Sequence, residues 1–240
     1  MLSLLSTPLV LALALAQAIP AAPAAKKPKP PKPPKVHIVA LGAGKKVPYT
    51  RAGDPAGASA VDKELHVRPL VVDGKVKEWT AGEPHDVTDR SFAVRRVIRL
   101  NDALPTDKTE HWVWQRGPWL LVDRATGHIT ALKLPDYDPA VSEVAWFRDL
   151  AAYCGLNTSR KQVFAVVAQV SVRKPLIAKK LVPFDPAQAA GLACAPAAWQ
   201  REPLRVTFQP TGSAAESFDL SGSSAVLVED GDAEPEKPTP

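Results

Sequence analysis

Residues 82 to 90 read GEPHDVTDR and bring Glu83, His85, Asp86 and Asp89 together. Carboxylates beside an imidazole can hold a divalent cation or move a proton as general acid and base. Gly82 and Pro84 in the same stretch are turn-forming residues, and aspartate often caps the turn it sits in. A solvated turn is therefore the simpler reading, and a metal or acid/base group the sharper one.

The second group is aromatic. HWVWQRGPWLLVDRATGHITALKL, residues 111 to 134, holds three of the six tryptophans: Trp112, Trp114 and Trp119. In an extended chain side chains alternate, so Trp112 and Trp114 project from one face. Exposed, such a pair with Arg116 beside it would grip the face of a sugar, with large apolar contact and an indole donor. Buried, it is core, which is where tryptophan is usually found. Val113, opposite the pair, is apolar as well, and this favours core. His66, His111 and His128 are scattered near strand ends and share no spacing.

Other chemistry is excluded on detail. IVALGAGKKVPY places Gly42, Gly44 and Lys45 after an apolar run, but a P-loop needs glycine at Val39 and Ser or Thr at Lys46. A dinucleotide fingerprint needs glycine at Val47 and a helix after it, which Pro48 opposes. Neither G-x-S-x-G nor H-E-x-x-H occurs. No cofactor is expected.

The elements around these residues read as strands. PLVVDGKVKEWT sets Asp73-Gly74 between two apolar-rich arms, a strong hairpin signal. SFAVRRVIRL alternates, with Phe92, Val94, Ile98 and Leu100 on one face and Arg95 and Arg99 on the other; Arg96 falls with the apolar set. QVFAVVAQVSV is apolar on both faces and predicts a central, doubly covered strand, and LRVTFQP and SSAVLVE add two more. DPAVSEVAWFRDLAAYCG has two readings. One is a short helix near 139–154, capped by Asp138 and stopped by Gly155. The other, which we favour, is two strands turning at Arg148-Asp149. The expected fold class is mainly β, antiparallel sheets with blade-like hairpins.

The succession WLLVDRATGHITALKL, VSEVAWF, LAAYCGL, QVFAVVAQV resembles the up-and-down strands of a β-propeller blade. The DRATG turn is similar to turns in pyrroloquinoline-quinone and YVTN-type propellers, and VAWFRD stands where TolB-like blades carry a Trp-Ser-Pro-Asp-Gly turn. The resemblance spans residues 111–172, implies blade-like antiparallel sheet and brings no catalytic residue with it. No repeat of about 40–50 residues is visible, so a full propeller is not expected.

The two ends speak of location. Leu9 to Ala16 is an unbroken apolar run, and Ala16-Gln17-Ala18 matches a signal-peptidase site, so residues 1–18 read as a secretory signal, with cleavage as late as 25. The run lacks a preceding Lys or Arg, which leaves an uncleaved anchor as the alternative. Residues 19–35 form a Pro/Lys-rich linker in which Lys29, Lys32 and Lys35 share one edge of a polyproline helix. They make a stiff spacer or a contact to an anionic surface. Residues 229–240 form an acidic tail with nothing to bury. The net charge of +5 falls to about +4 over residues 36–228, which read as one domain; the charge is too diffuse for a nucleic-acid groove.

Cys154 and Cys194 are the only cysteines, and they are not spaced as C-x-x-C. In an oxidising compartment an even pair is most simply a structural disulfide. Together these features predict an exported, monomeric, non-catalytic binding or structural protein of the envelope or periplasm. Its partner would be an anionic envelope polymer or polysaccharide, with no nucleic acid. Membrane contact would run only through an uncleaved signal or the basic linker. Two alternatives are an envelope polysaccharide- or peptide-acting enzyme using Glu83 to Asp89, and a carbohydrate-binding module using Trp112 and Trp114.

Overall fold

The computed structural model describes residues 36–49, 64–185, 192–221 and 224–228. The signal, the Pro/Lys-rich linker and the acidic tail lie outside the described residues. All of the regular structure described is β, in three antiparallel sheets. Among the described residues no helix is long and apolar enough to cross a membrane.

The first sheet runs in the order β1 (Val39–Leu41), β3 (Glu64–Val72), β4 (Lys75–Thr88), β5 (Ser91–Asn101), β6 (Trp112–Asp123) and β7 (Ile129–Ala131). A further strand, β2 (Lys45–Pro48), pairs with the other end of β3. Asp73 and Gly74 join β3 to β4 with φ of 50° and 76°, the left-handed geometry that the Asp-Gly pair predicted. The sheet curls until Tyr49, just past β2, bridges Trp114 of β6. That closure buries Val47, Leu65, Val67, Ala81, Val97 and Trp114 at one end. At the other end Val39, Leu41 and Ile129 cover Leu70, Phe92, Val94, Leu120 and Val122.

The alternation expected along β5 is overridden in both halves of the strand. Phe92 and Val94 are buried as expected, but so are Ala93, Arg95 and Val97, while Leu100 is 40% exposed. The first half of β5 is covered on both faces, because another sheet packs on the side of Ala93 and Arg95. The pairing with β6 also slips between Arg95 and Val97, where β6 carries Gly117-Pro118. Proline has no N–H to give a ladder, so it belongs at such a bulge.

The second sheet is a meander of β8 (Ala145–Phe147), β9 (Leu150–Leu156), β10 (Gln162–Gln169) and β11 (Ile177–Pro183). The third is a meander of β12 (Cys194–Gln200), β13 (Arg205–Pro210), β14 (Glu216–Ser221) and β15 (Ser224–Val228). β9 and β10 are covered from both sides. Ala151, Tyr153, Val166 and Ala168 meet Ala93 and Trp119 of the first sheet. Ala152, Cys154, Val163, Ala165 and Val167 meet Ala197, Val206, Phe208 and Phe218 of the third. QVFAVVAQVSV is thus the central strand its two apolar faces predicted. Each fully buried Val or Phe contributes about 1.5–3 kcal/mol through apolar area removed from water.

The helix alternative near 139–154 is corrected to a single turn followed by strands. Asp138 does cap that turn: its Oδ1 accepts from Ala140 N at 2.9 Å and its carbonyl from Ser142 N at 2.8 Å. Ser142 Oγ then donates to Cys154 O at 2.6 Å, tying the turn to β9. LAAYCGL is apolar all round, and a strand between two layers buries both of its faces, whereas a surface helix buries one stripe. Gly155, expected as a helix stop, instead lies within β9 against the carbonyl of Asp136, where a Cβ would sit 2.7 Å from the oxygen.

The blade-like succession divides between two sheets. WLLVDRATGHITALKL supplies β6 and β7 of the first, and VSEVAWF, LAAYCGL and QVFAVVAQV supply β8 to β10 of the second. The second and third sheets are four-stranded meanders, but the run from Trp119 to Gln169 is not one blade.

Cys154 of β9 and Cys194 of β12 form a disulfide, with Cα atoms 5.9 Å apart and a sequence separation of 40. The bridge pins the second sheet to the third through their shared core.

Candidate functional site

Glu83, His85 and Asp86 lie not in an open loop but within β4, which continues past a bulge at Gly82, where φ is 76°. Asp89 sits in the exposed turn leading to β5. Each of the first three has its own partner. Glu83 accepts two bonds from Arg68 Nη1 of β3, both 3.3 Å. Asp86 accepts from Arg124 Nη2, in the turn after β6, at 2.6 Å. His85 Nε2 donates to the carbonyl of Arg148, in the β8–β9 turn, at 2.6 Å. The four residues therefore do not converge on one point. Among the described residues no group of three His, Cys, Asp or Glu side chains is placed to hold a metal ion.

The tryptophan pair separates as well. Trp114 is 8% exposed, and its ring meets the Trp79 ring edge to face at 5.6 Å. Lys45 Nζ lies over both rings, 4.6 Å and 5.6 Å from their centroids. Trp112 is 44% exposed, with Arg99 over its ring and its indole N–H donating to Glu110 at 2.8 Å. The two indoles therefore do not form one exposed platform. The curl of the sheet decides this, because Tyr49 closes over Trp114 and leaves Trp112 at the strand's end.

Arg116 is drawn into an ion cluster that sequence reading missed. Its Nη1 donates to Glu143 Oε2 at 3.0 Å, and Arg95 Nη1 reaches the same oxygen at 3.0 Å. Arg95 Nη2 also donates to Pro139 O at 2.7 Å. Tyr137 lies against Arg95, its ring centroid 5.7 Å from the guanidinium carbon. Burial pushes the Tyr137 hydroxyl up to about 12, against the opposing pull of Arg95. Tyr153, donating to Pro135 O at 2.6 Å, is also pushed up by burial. The sequence did not mark this cluster: the alternation put Arg95 on the polar face and singled out Arg96, which instead pairs with Glu78 at 2.9 Å.

A second grouping links all three sheets. His85 of β4 stacks on Trp146 of β8, with centroids 5.3 Å apart and planes 15° apart. The Trp146 ring in turn meets Trp119 edge to face at 5.2 Å. Phe147 lies 5.4 Å from Trp199 of β12, whose indole N–H donates to Ala145 O at 3.1 Å. His85, Trp146, Phe147, Arg148 and Arg201 line a cavity of about 290 Å³. A larger cavity of about 630 Å³ opens between residues 130–135 and 169–173, with Leu121, Leu132, Leu134 and Val170 among its lining. Of the candidate site residues singled out from sequence, His85 lines the first of these two cavities. The VAWFRD stretch of the β8–β9 hairpin was read only as a blade turn, because the grouping of its aromatic and arginine residues depends on how the sheets stack.

No family model, curated protein or solved structure matches this chain.

Proposed function

We propose that this chain is an exported, monomeric, non-catalytic binding or structural module of the cell envelope or periplasm, with an anionic envelope polymer or polysaccharide as its partner. One observation carries the non-catalytic part. Glu83, His85 and Asp86, the best acid/base set in the sequence, are each tied to a different element by Arg68, the Arg148 carbonyl and Arg124. A general acid–base pair needs groups that reach a common substrate atom, and these are spread along a strand. The Cys154–Cys194 disulfide is consistent with an oxidising, exported location.

The test has two arms. A tagged full chain expressed in a bacterial host is fractionated and its thiols are titrated. The purified protein is then sedimented with insoluble envelope polysaccharide, while released reducing ends and peptides are measured. The reading expects an envelope or periplasmic fraction without free thiols, and cosedimentation with the polymer intact. Reduced cysteines in the cytosol would overturn export. Catalytic release of fragments, abolished by Glu83→Gln or Asp86→Asn, would replace the binding reading with the enzyme reading.

A further inference from the structure

We propose that the cavity of His85, Trp146, Phe147, Arg148 and Arg201 is a binding site for a carboxylate-bearing sugar unit of an anionic polysaccharide. The proposal rests on the binding reading above and names the ligand class of one site.

The cavity is assembled from all three sheets: β4 gives His85, the β8–β9 hairpin gives Trp146 to Arg148, and the turn after β12 gives Arg201. The hairpin is fixed from both sides. His85 Nε2 holds the Arg148 carbonyl at 2.6 Å, and Trp199 Nε1 holds the Ala145 carbonyl at 3.1 Å. Arg148 itself takes a φ of 52°, a conformation a non-glycine residue rarely adopts. A site placed by such contacts is largely preformed, which lowers the ordering cost of binding.

Two charges at this cavity lack counter-charges. Among the described residues no carboxylate lies within ion-pair distance of Arg148 or Arg201. The nearby acids are engaged elsewhere or exposed. Asp149 Oδ2 accepts from Gln169 at 2.8 Å, Asp86 accepts from Arg124 at 2.6 Å, and Glu202 faces solvent. Arg68, Arg90, Arg95, Arg96, Arg116, Arg124, Arg160 and Arg205 each hold a carboxylate; of the other described arginines Arg99 and Arg173 also lack one, but neither lines this cavity. Guanidinium groups match carboxylates through paired, charge-assisted hydrogen bonds.

The walls narrow the ligand further. The Phe147 ring lies under the Arg148 guanidinium, 5.4 Å away, and against Trp199, so the flat surface of the wall is the His85–Trp146 stack, which a small inorganic anion cannot use but the face of a sugar ring can. At about 290 Å³ the cavity is at the lower limit of ligand pockets, so it fits one small unit of a chain whose remainder lies outside.

The test uses the full chain with defined probes: galacturonic acid trisaccharide, maltotriose as its uncharged counterpart, and inorganic phosphate. Binding is followed by calorimetry and tryptophan fluorescence for the wild type and for Arg148→Gln, Arg201→Gln and the double variant. Thermal unfolding of each confirms that it folds. The proposal expects saturable binding of the galacturonic acid trisaccharide, none of maltotriose, and a loss of affinity of about tenfold or more in the double variant at unchanged melting temperature. His85→Phe, which keeps a ring for stacking but removes the bond to the Arg148 carbonyl, should weaken binding by a smaller factor. Absence of saturable trisaccharide binding, or binding that the double variant leaves unchanged, would overturn it. Phosphate binding as tightly at the same arginines would also overturn it, leaving a simple anion site. Cosedimentation with envelope polymer that persists in the double variant would sink this site alone and leave the binding reading standing.

Discussion

Arg95 of β5 and Glu143, in the segment before β8, form an ion pair of 3.0 Å in which the arginine side chain is only 5% exposed. The same carboxylate oxygen also accepts from Arg116, so one acid neutralises two bases where the first sheet meets the second. The Arg95 Nε is buried without an acceptor among the described residues, which leaves this guanidinium dependent on Glu143 and the Pro139 carbonyl.

Removing the acid should therefore be far worse than removing the outer base. Glu143→Ala leaves a buried charge uncompensated and is expected to cost about 3–5 kcal/mol. Arg116→Ala, at a 36% exposed side chain, should cost about 1 kcal/mol or less. Urea unfolding midpoints of the two variants provide the comparison. Equal, small shifts would mean that Arg95 finds other partners.

The two neighbouring tryptophans should behave differently. Trp114→Ala opens a cavity beside Trp79 and is expected to cost about 3–5 kcal/mol. Trp112→Ala should stay within about 1 kcal/mol, as surface changes do. Acrylamide quenching checks the geometry directly: Trp112→Phe should remove an accessible fluorophore and Trp114→Phe a shielded one. The reverse pattern would place the sheet closure at Tyr49 in error.

The disulfide should act mainly on stability. Closing a loop of 40 residues restricts the unfolded chain by about 4 kcal/mol on the loop-entropy model. A Cys154→Ala/Cys194→Ala double variant should therefore melt about 8–16 °C lower. Its far-ultraviolet dichroism should keep a β signature, since the shared apolar core remains. A melting point unchanged by the substitution would show that the two sheets need no tether.

High pH should loosen the fold. The neutral form of Tyr137 is favoured by burial, which raises its pKa from 10.0 to about 12. Between those values the unfolded chain has lost this proton and the native protein has kept it, so stability falls as pH rises. The contribution is fully present below about pH 10, and its loss approaches ~3 kcal/mol near pH 12. Tyr153 shifts in the same direction for the same reason. Urea midpoints from pH 8 to 11.5 should decline, and less steeply in Tyr137→Phe. Parallel curves for the two proteins would rule out this tyrosine as a cause.

The sequence by itself determined what depends on neighbours along the chain. The Asp73-Gly74 hairpin follows from the left-handed backbone that pair tolerates, and the double covering of β10 from apolar residues on both faces of QVFAVVAQV. The Cys154–Cys194 bridge was legible because no other cysteine exists to compete. Tertiary structure alone decided that the first half of β5 is buried on both faces, since that depends on where the curled first sheet is covered by the second. It separated Trp112 from Trp114, because Tyr49, more than 60 residues upstream of Trp114, closes over one of them. It also brought His85 to Trp146 and Arg201, and Arg95 to Glu143, across gaps of tens of residues. Packing between sheets is a contact between surfaces, and no local spacing in a chain encodes which surfaces will meet.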